Sequence, residues 1–222
     1  MFLAYKFQVV LRDVEPAVKR TFVMPAETTF KRLHDTLQFV MGWQDIHLYE
    51  FTVSYQDYKT RIVCDEEMIE EESALLGHYR KLLQDGTELD KYDVARIERL
   101  KKTFYKGAWS CKLPQIFKEC QQVEYLYDFG DSWTHSITLL EVMEDYPHPH
   151  PVLLDWEGAC PPEDVGGPGG YAYFLEAWHD PEHMEHQEMR EWGEGYFEET
   201  VDQERINWLM EDILRLKKIK KQ

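Results

Sequence analysis

Basic residues are few in this sequence relative to acidic ones. Its 222 residues include 25 lysines and arginines against 42 aspartates and glutamates, a formal net charge of −17 at pH 7. Phosphate backbones and anionic membrane surfaces attract basic surfaces, so this balance argues against direct nucleic-acid binding and against a membrane partner. The lysine-rich end of the chain, Lys217, Lys218, Lys220 and Lys221, is one candidate for a local basic patch, but a solvated helix end is the favoured interpretation.

Long apolar runs and paired cysteines are also lacking. No stretch approaches the roughly 20 apolar residues of a membrane-spanning helix, and the first twelve residues alternate like a strand rather than forming a signal peptide. The four cysteines are Cys64, Cys111, Cys120 and Cys160. They show no CxxC spacing, which argues against a zinc ribbon or a thioredoxin-like pair. We expect a cytoplasmic protein with four free thiols.

Material for a core is abundant, since 43% of the residues are hydrophobic and 14% are aromatic. The segment YLYDFGDSWTHSITLLE, from Tyr125 to Glu141, predicts a β-hairpin: apolar and polar residues alternate on both sides of a turn at Gly130. This hairpin brings Asp128, Asp131 and His135 near one end of two paired strands. Two carboxylates and an imidazole there could bind a metal, move a proton or lock a turn.

The first half of the chain predicts further strands at 3–12, 18–24 and 48–55, with a helix from Thr29 to Met41. Thr28 or Thr29 is expected to cap that helix and Gly42 to end it. Residues 57–110 are interpreted as an acidic and helical insertion between two strands of the main sheet. It contains a solvated or mobile acidic run and a helix over 91–105.

The second half predicts irregular backbone around the glycines at 166–170, where preceding carboxylates exclude a phosphate-binding loop. Helices are expected at 171–178, from Asp180-Pro181, and at 201–217 with a capping box of Thr200 and Gln203. The whole order predicts one α+β domain over 1–222: a mainly antiparallel sheet with one early helix packed on it, the helical insertion and C-terminal helices.

Three motifs in order resemble the plasmid pRiA4b ORF-3-like family: TTFKRLHDTLQFVMGWQDIHLYEF, YLYDFGDSWTHSITLLE and GACPPEDVGGPGGYAYFLEAWHDPEHMEH. The resemblance implies an α+β fold, a family largely of unknown function, and a context of plasmids and mobile elements. The long insertion at 57–110 departs from the family pattern. The motif residues, taken as a candidate cleft, are His34, Gln38, Trp43, His47, Asp128, Asp131, Trp133, His135, Cys160, Glu163 and Asp164.

These residues allow several interpretations. In a purely structural network, Asp131 caps its own turn, His135 bonds Asp128, and Glu163 and Asp164 accept amides from the glycine loop. A divalent metal such as zinc, manganese or iron is the sharper interpretation. Its candidate ligands are His34, His47, Asp131, His135, Glu163 and Asp164. Cys160 as a nucleophile and a metal site at His183 and His186 are two further hypotheses.

Two classes of function follow. The first is a binding or adaptor module, in which a polar and aromatic cleft takes a protein or peptide partner without any cofactor. The alternative is a metal-dependent hydrolase, linked to mobile-element or nucleic-acid metabolism, with a divalent metal as cofactor. No motif with a known catalytic mechanism is present, so the sequence favours the binding module.

Overall fold

An eight-stranded sheet forms the centre of the protein. The computed structural model describes residues 1–216, and the sheet within them has the strand order β5-β4-β3-β6-β7-β1-β2-β8. The strands are β1 (Phe2–Leu11), β2 (Val18–Pro25), β3 (Tyr49–Ser54), β4 (Lys59–Val63), β5 (Thr103–Gly107), β6 (Gln122–Tyr127), β7 (Trp133–Tyr146) and β8 (Val152–Glu157). Among the strands of residues 1–216, only β4 and β5 pair in parallel. The predicted α+β fold with a mainly antiparallel sheet is therefore confirmed.

Seven helices in the described part of the chain accompany the sheet. They are α1 (Phe30–Met41), α2 (Glu66–Gln84), α3 (Lys91–Lys101), α4 (Pro114–Phe117), α5 (Gly167–His179), α6 (His186–Gly193) and α7 (Gln203–Ile213). None of them is both long and apolar enough to cross a membrane. All four cysteines have free thiols.

Helix α1 ends at Met41 as predicted and begins at Phe30, one residue later than predicted, because Thr29 is its cap. The Thr29 side chain accepts a hydrogen bond from the Arg32 amide at the first turn, and Gly42 ends the helix in the left-handed conformation. The apolar face of α1 is buried in the core, where the Phe30 ring contacts Phe51 and Phe117 at centroid distances of 5.0 and 6.0 Å. The helix is thereby fixed on the sheet, and the loop that follows it starts at a defined place.

Strands β6 and β7 form the predicted hairpin. Tyr125 pairs with His135 and Tyr127 pairs with Trp133, and all four side chains are buried. The apolar alternation ends earlier than predicted on β6, because Phe129 belongs to the turn and is 39% exposed. β7 continues to Tyr146 and pairs with β1, so the hairpin lies in the middle of the sheet.

The insertion is built differently from its prediction. Two of its segments are strands β4 and β5, which extend the main sheet beyond β3. The acidic run opens α2, with Asp65 accepting from the Glu67 amide, since carboxylates near a helix N-terminus are favourable. The helix predicted over 91–105 stops at Lys101, because the next residues pair with β4 as strand β5.

Three predictions at the C-terminal end were wrong in position. The glycine-rich segment is not irregular throughout, since α5 begins at Gly167. Asp180 ends α5 and does not start the next helix, which begins at His186. The cap of α7 is Asp202, which accepts from the Arg205 amide, rather than Thr200. The lysine-rich end, 217–222, lies outside the described residues.

Candidate functional site

Three separate segments meet beside the hairpin: the loop after α1, the turn between β6 and β7, and residues 160–166. Trp43 joins the first segment to the third, because its indole Nε1 donates to the Pro161 carbonyl at 2.9 Å. The indole ring also stacks on Tyr127 of β6, with 4.8 Å between ring centroids. Through these two contacts, Trp43 holds the loop after α1 against both the hairpin and residues 160–166.

Asp131 ties the hairpin turn to the glycine-rich segment. Its Oδ2 accepts from the Gly166 amide at 3.0 Å. The next residue, Gly167, has a φ of +69°, and a Cβ there would lie 2.7 Å from the Asp131 carbonyl oxygen. Only glycine permits this approach without displacement. Asp131 thus bonds the segment after Asp164, and its own turn is capped by Asp128, whose Oδ1 accepts from Gly130 at 2.8 Å.

His47 lies at the centre of a carboxylate cluster. Its Nε2 is 3.0 Å from Asp164 Oδ1, 3.6 Å from Asp128 Oδ2 and 3.8 Å from Glu163 Oε2. Nevertheless, neither His47 Nε2 nor Glu163 Oε2 has a hydrogen-bond partner of suitable geometry among residues 1–216, although both atoms are buried. Buried polar atoms are nearly always satisfied, so these two require a further partner.

The carboxylates divide their oxygens between folding and this cluster. Asp128 uses Oδ1 for the turn and directs Oδ2 toward His47. Glu163 uses Oε1 to accept from the Tyr127 hydroxyl at 3.0 Å and from the Gln44 amide at 2.8 Å, which leaves Oε2 on the His47 side. Each carboxylate is thereby held in orientation by one oxygen, as supporting hydrogen bonds do for metal ligands.

Backbone strain is concentrated at the same place. Asp128 and Asp164 have φ values of +54° and +58°, in the left-handed region that non-glycine residues seldom occupy. Asp45, in the loop before His47, has a φ of +56°. Strained backbone of this kind persists where the surrounding structure enforces it, and it clusters at ligand sites.

The spacing of the cluster fits a cation. Ligand atoms about 2.1 Å from a tetrahedral ion lie about 3.4 Å from one another, close to the separations around His47 Nε2. The ligand atoms of His47, Asp128 and Asp164 all lie within 4.8 Å of one another. Within residues 1–216, no lysine or arginine nitrogen lies within 4.0 Å of these carboxylates. A cation would balance their negative charge.

A second histidine–carboxylate cluster contains its own cation. His34 Nε2 is 2.6 Å from Asp45 Oδ1, and the Lys31 ammonium lies 3.1 Å from Asp45 Oδ2 and 2.7 Å from Asp35. Burial lowers the pKa of His34 to about 4, although Asp45 opposes this shift. His34 is therefore neutral at pH 7, and the Lys31 ammonium already balances the charge of Asp35 and Asp45.

Gln38 extends this second cluster into the hairpin. Its amide nitrogen donates to the Tyr125 hydroxyl at 3.2 Å, and its oxygen accepts from the Asp45 amide at 2.9 Å. The Tyr125 hydroxyl also contacts His34 Nδ1 at 2.8 Å. These hydrogen bonds fix the loop that carries His47, so His34 and Gln38 stabilise the site indirectly, through Asp45 and Tyr125.

His135 and Trp133 lie in the core behind Trp43 and away from the carboxylates they neighbour in sequence. His135 Nδ1 donates to the Trp133 and Tyr125 carbonyls at 3.1 and 3.3 Å, so it makes no bond with Asp128. Complete burial lowers its pKa to about 4. His135 Nε2 and Trp133 Nε1 lack partners among residues 1–216.

Cys160, His183 and His186 lie outside the His47 cluster. Burial raises the pKa of the Cys160 thiol to about 12, so a reactive thiolate is not formed near neutral pH. His183 Nδ1 accepts from the Glu185 amide at 3.2 Å, and His186 Nδ1 donates to the Ala177 carbonyl at 2.7 Å. These histidines fasten the turn between α5 and α6.

Two contributors were not identified from the sequence as site residues. Asp45 was overlooked, although it stands between Trp43 and His47 in the same loop. Tyr127 lies in the hairpin segment but is not among the candidate cleft residues, yet its hydroxyl donates to Glu163 and orients it. Burial and the nearby Glu163 carboxylate raise its pKa, so the hydroxyl remains a donor. The sequence does offer one signal: a tyrosine at a predicted buried position needs a hydrogen-bond partner for its hydroxyl group.

The fold and the site define a class of protein: an α+β fold in which a loop, a hairpin turn and a glycine-rich segment enclose a histidine–carboxylate cluster. The chain belongs to the plasmid pRiA4b ORF-3-like protein family, whose profile matches residues 3–205. It is 37% identical over 187 residues to the uncharacterized protein y4hQ of Sinorhizobium fredii (strain NBRC 101917 / NGR234), covering 84% of this chain and 79% of that protein.

A solved structure shares the fold. The crystal structure of the protein of unknown function MM3350 from Methanosarcina mazei Go1 aligns with a TM-score of 0.69 over 92% of this chain and 98% of that one. The two sequences are 23% identical, so this likeness concerns the fold alone. Neither relative is described with an activity, and the function of this chain has to be inferred from its site.

Proposed function

We propose that the chain binds one divalent transition-metal cation through His47, Asp128 and Asp164, with Glu163 beside it, and that it is a metal-dependent hydrolase. The observation that carries the proposal is the unsatisfied His47 Nε2 atom, which faces oxygens of three carboxylates. One imidazole with carboxylate oxygens suits zinc, manganese or iron.

The accessibility of the cluster supports hydrolysis. The side chains of Asp128 and Glu163 are 10% and 9% exposed, whereas that of Asp164 is 66% exposed, so the cluster is closed on one side and open on the other. An open position allows a bound cation to lower the pKa of a water molecule. Glu163 Oε2, held in place through the other oxygen, is oriented to accept the proton of that water.

Metal content is the first test. Purified protein stripped with a chelator and titrated with Zn²⁺ or Mn²⁺ should bind one ion per chain, measured by elemental analysis and calorimetry. The double substitution Asp128→Asn and Asp164→Asn should weaken binding at least about 100-fold, because it removes two ionised ligands.

The matched control is Asp35→Asn, which changes a carboxylate of the Lys31 cluster and should leave metal affinity unchanged. Wild-type protein that takes up no ion, or a double variant that binds as tightly as wild type, would contradict the proposal.

Hydrolysis is tested separately with the Glu163→Gln variant. Gln keeps the size and the acceptor oxygen facing Tyr127 and Gln44 but cannot accept a proton. We expect Glu163→Gln to retain the ion while its turnover of p-nitrophenyl acetate or bis(p-nitrophenyl) phosphate falls about 100-fold or more, as for a lost general base. The phosphodiester also tests the nucleic-acid context implied by the family resemblance. Equal turnover by the loaded and stripped wild type would remove the hydrolase assignment.

A binding module for a protein or peptide partner is the second candidate function. Three apolar side chains around the cluster support it: Ile46 is 57% exposed, Leu48 is 51% exposed and Phe129 is 39% exposed. An apolar rim around acidic groups suits a partner with both apolar and basic side chains. This candidate predicts a folded protein without stoichiometric metal, so the metal measurement distinguishes the two.

A further inference from the structure

A cavity of about 370 Å³, lined in part by Glu163, lies between the end of α1, residues 160–163 and helix α7. Its apolar lining comes from Phe39, Met41, Trp43, Ile206 and Leu209. This volume is at the lower end of the range for small-molecule pockets, which combine an apolar lining with a few polar groups. The polar groups identify the kind of molecule that fits.

Arg20 of β2 lines this cavity and is only 1% exposed. Its Nε donates to the Val40 carbonyl at 2.6 Å, and Nη1 donates to the carbonyls of Lys19, Glu157 and Gly158 at 2.8, 2.9 and 3.1 Å. The other terminal nitrogen, Nη2, has no acceptor within residues 1–216. The guanidinium is therefore rigidly held, and its two N–H groups on Nη2 are unused.

The positive charge of Arg20 is also uncompensated. No carboxylate oxygen of the described residues lies within 4.0 Å of it, and its bonds are all to neutral carbonyls. Its titratable neighbours are Cys160 and Tyr171, and burial raises the pKa of both, so both are neutral near pH 7. Arginine stays protonated in proteins, and a buried charge without a partner is costly.

A second guanidinium stands at the cavity mouth. Arg205 of α7 lines the cavity, is exposed, and forms no ion pair with the described residues. The acidic lining residues are Glu163, Glu198 and Asp202, of which Asp202 caps α7 and Glu163 is held by Tyr127 and Gln44. These carboxylates would repel a phosphate dianion more strongly than a single carboxylate.

We propose that this cavity binds a small apolar carboxylic acid as its anion, with the carboxylate on Arg20 Nη2 and the apolar body against Trp43 and Leu209. The site shares the Glu163 side chain with the His47 cluster, but its ligand contacts Arg20 and it does not depend on a cation at His47. Arg205 attracts the anion at the mouth, while the buried Arg20 supplies the charge-assisted hydrogen bond that selects it.

Calorimetric titration of the full chain with hexanoate, in the presence of EDTA, tests the proposal. Hexanoate should bind saturably, and hexan-1-ol and inorganic phosphate should bind at least about tenfold more weakly, as expected for a charge-assisted hydrogen bond in an apolar site. The Arg20→Gln variant should lose at least about tenfold in hexanoate affinity, whereas Arg215→Gln, an exposed arginine paired with Glu211, should be unchanged.

Arg20→Gln also loses hydrogen bonds to the backbone, so its folding is checked by circular dichroism. If Arg20→Gln does not fold, the Leu209→Trp variant is the deciding variant. Its larger ring fills the cavity and should abolish hexanoate binding. The proposal is overturned if hexanoate shows no saturable binding up to about 10 mM, a weak-affinity limit. It is equally overturned if hexan-1-ol binds as well as hexanoate, or if the deciding variant retains wild-type affinity.

Discussion

Chemically identical side chains have different roles here because their surroundings differ. His47 is partly exposed and faces carboxylates, His34 is buried against Asp45, and His135 is buried against carbonyl groups. Burial disfavours the charged imidazolium, and it lowers the pKa of His34 and His135 to about 4. Of the three histidines of the candidate cleft, therefore, one faces the open cluster, and the other two are structural residues of the core.

The buried His135 predicts a dependence of stability on pH. Its pKa is about 4 in the folded state and 6.5 when exposed. Between these values the unfolded chain binds the additional proton. Stability contributed by neutral His135 is thus complete above about pH 6.5 and decreases as pH falls toward 4, by up to about 1.4 kcal/mol per pH unit. Denaturant unfolding at several pH values measures this slope, which should decrease in His135→Leu.

His34 contributes in the same direction, so the slope of the variant should decrease without vanishing. The exposed His179 supplies the control, and His179→Gln should leave the slope unchanged. Stability curves of wild type and His135→Leu that run parallel from pH 6.5 to 4 would refute this assignment of the proton.

A close backbone contact, in addition to the hydrogen bond between Gly166 and Asp131, positions the start of helix α5 against the hairpin turn. Gly167 opens α5 against the Asp131 carbonyl, whereas a methyl group added at Gly169, in the same turn of the helix, would meet no atom within 4 Å. A side chain at Gly167 is therefore excluded by a contact with another segment. At Gly169 no neighbouring atom excludes one, and only the local helix conformation matters.

Gly167→Ala should destabilise the protein by about 1–3 kcal/mol, because alanine is strained at a positive φ and its methyl group clashes with the turn. It should also weaken metal binding, since it displaces the segment that carries Asp164. Gly169→Ala is the matched control and should stabilise by about 0.4–1 kcal/mol. Chemical denaturation and metal titration of both variants measure these effects; equal stability of the two would contradict the contact.

The protein as a whole has one extensive core and a thinner helical layer over the insertion. The large core runs from β1 and β2 through α1 to β6 and β7. Helices α2 and α3 instead share a small cluster whose buried members are Tyr79, Ile97 and Leu100. Regions with few buried apolar contacts open at lower free energy than the core.

Hydrogen exchange should therefore proceed faster in Glu66–Lys101 than in β1 and β7, with protection of α2 and α3 lost well before global unfolding. Mass spectrometry of peptides from both regions compares them within one sample, so the core strands serve as the internal control. Equal protection of the insertion helices and the core strands would show that the two layers unfold as one unit.

Local patterns determined much of this architecture. Thr29 and Gly42 bound α1, and the alternation around Tyr125 and Trp133 defines the central hairpin, because caps and side-chain periods act over a few neighbouring residues. The α+β class follows from the order of such elements. The sequence does not predict strands β8 and β5, which are short and pair with strands distant in the chain. It does not predict β4 either, although β4 is a short strand that forms a hairpin with the neighbouring β3.

The candidate site needed the tertiary structure. The motifs contain His47, Glu163 and Asp164 as candidate ligands, together with His34 and His135. No sequence pattern distinguishes the metal-facing residues among them from the structural ones. Trp43 and Pro161 are 118 residues apart and Tyr127 and Glu163 are 36 apart, yet their hydrogen bonds place the carboxylates around one imidazole and leave Arg20 at the wall of a cavity. Burial and orientation assign these roles, and both exist only once distant segments have packed together.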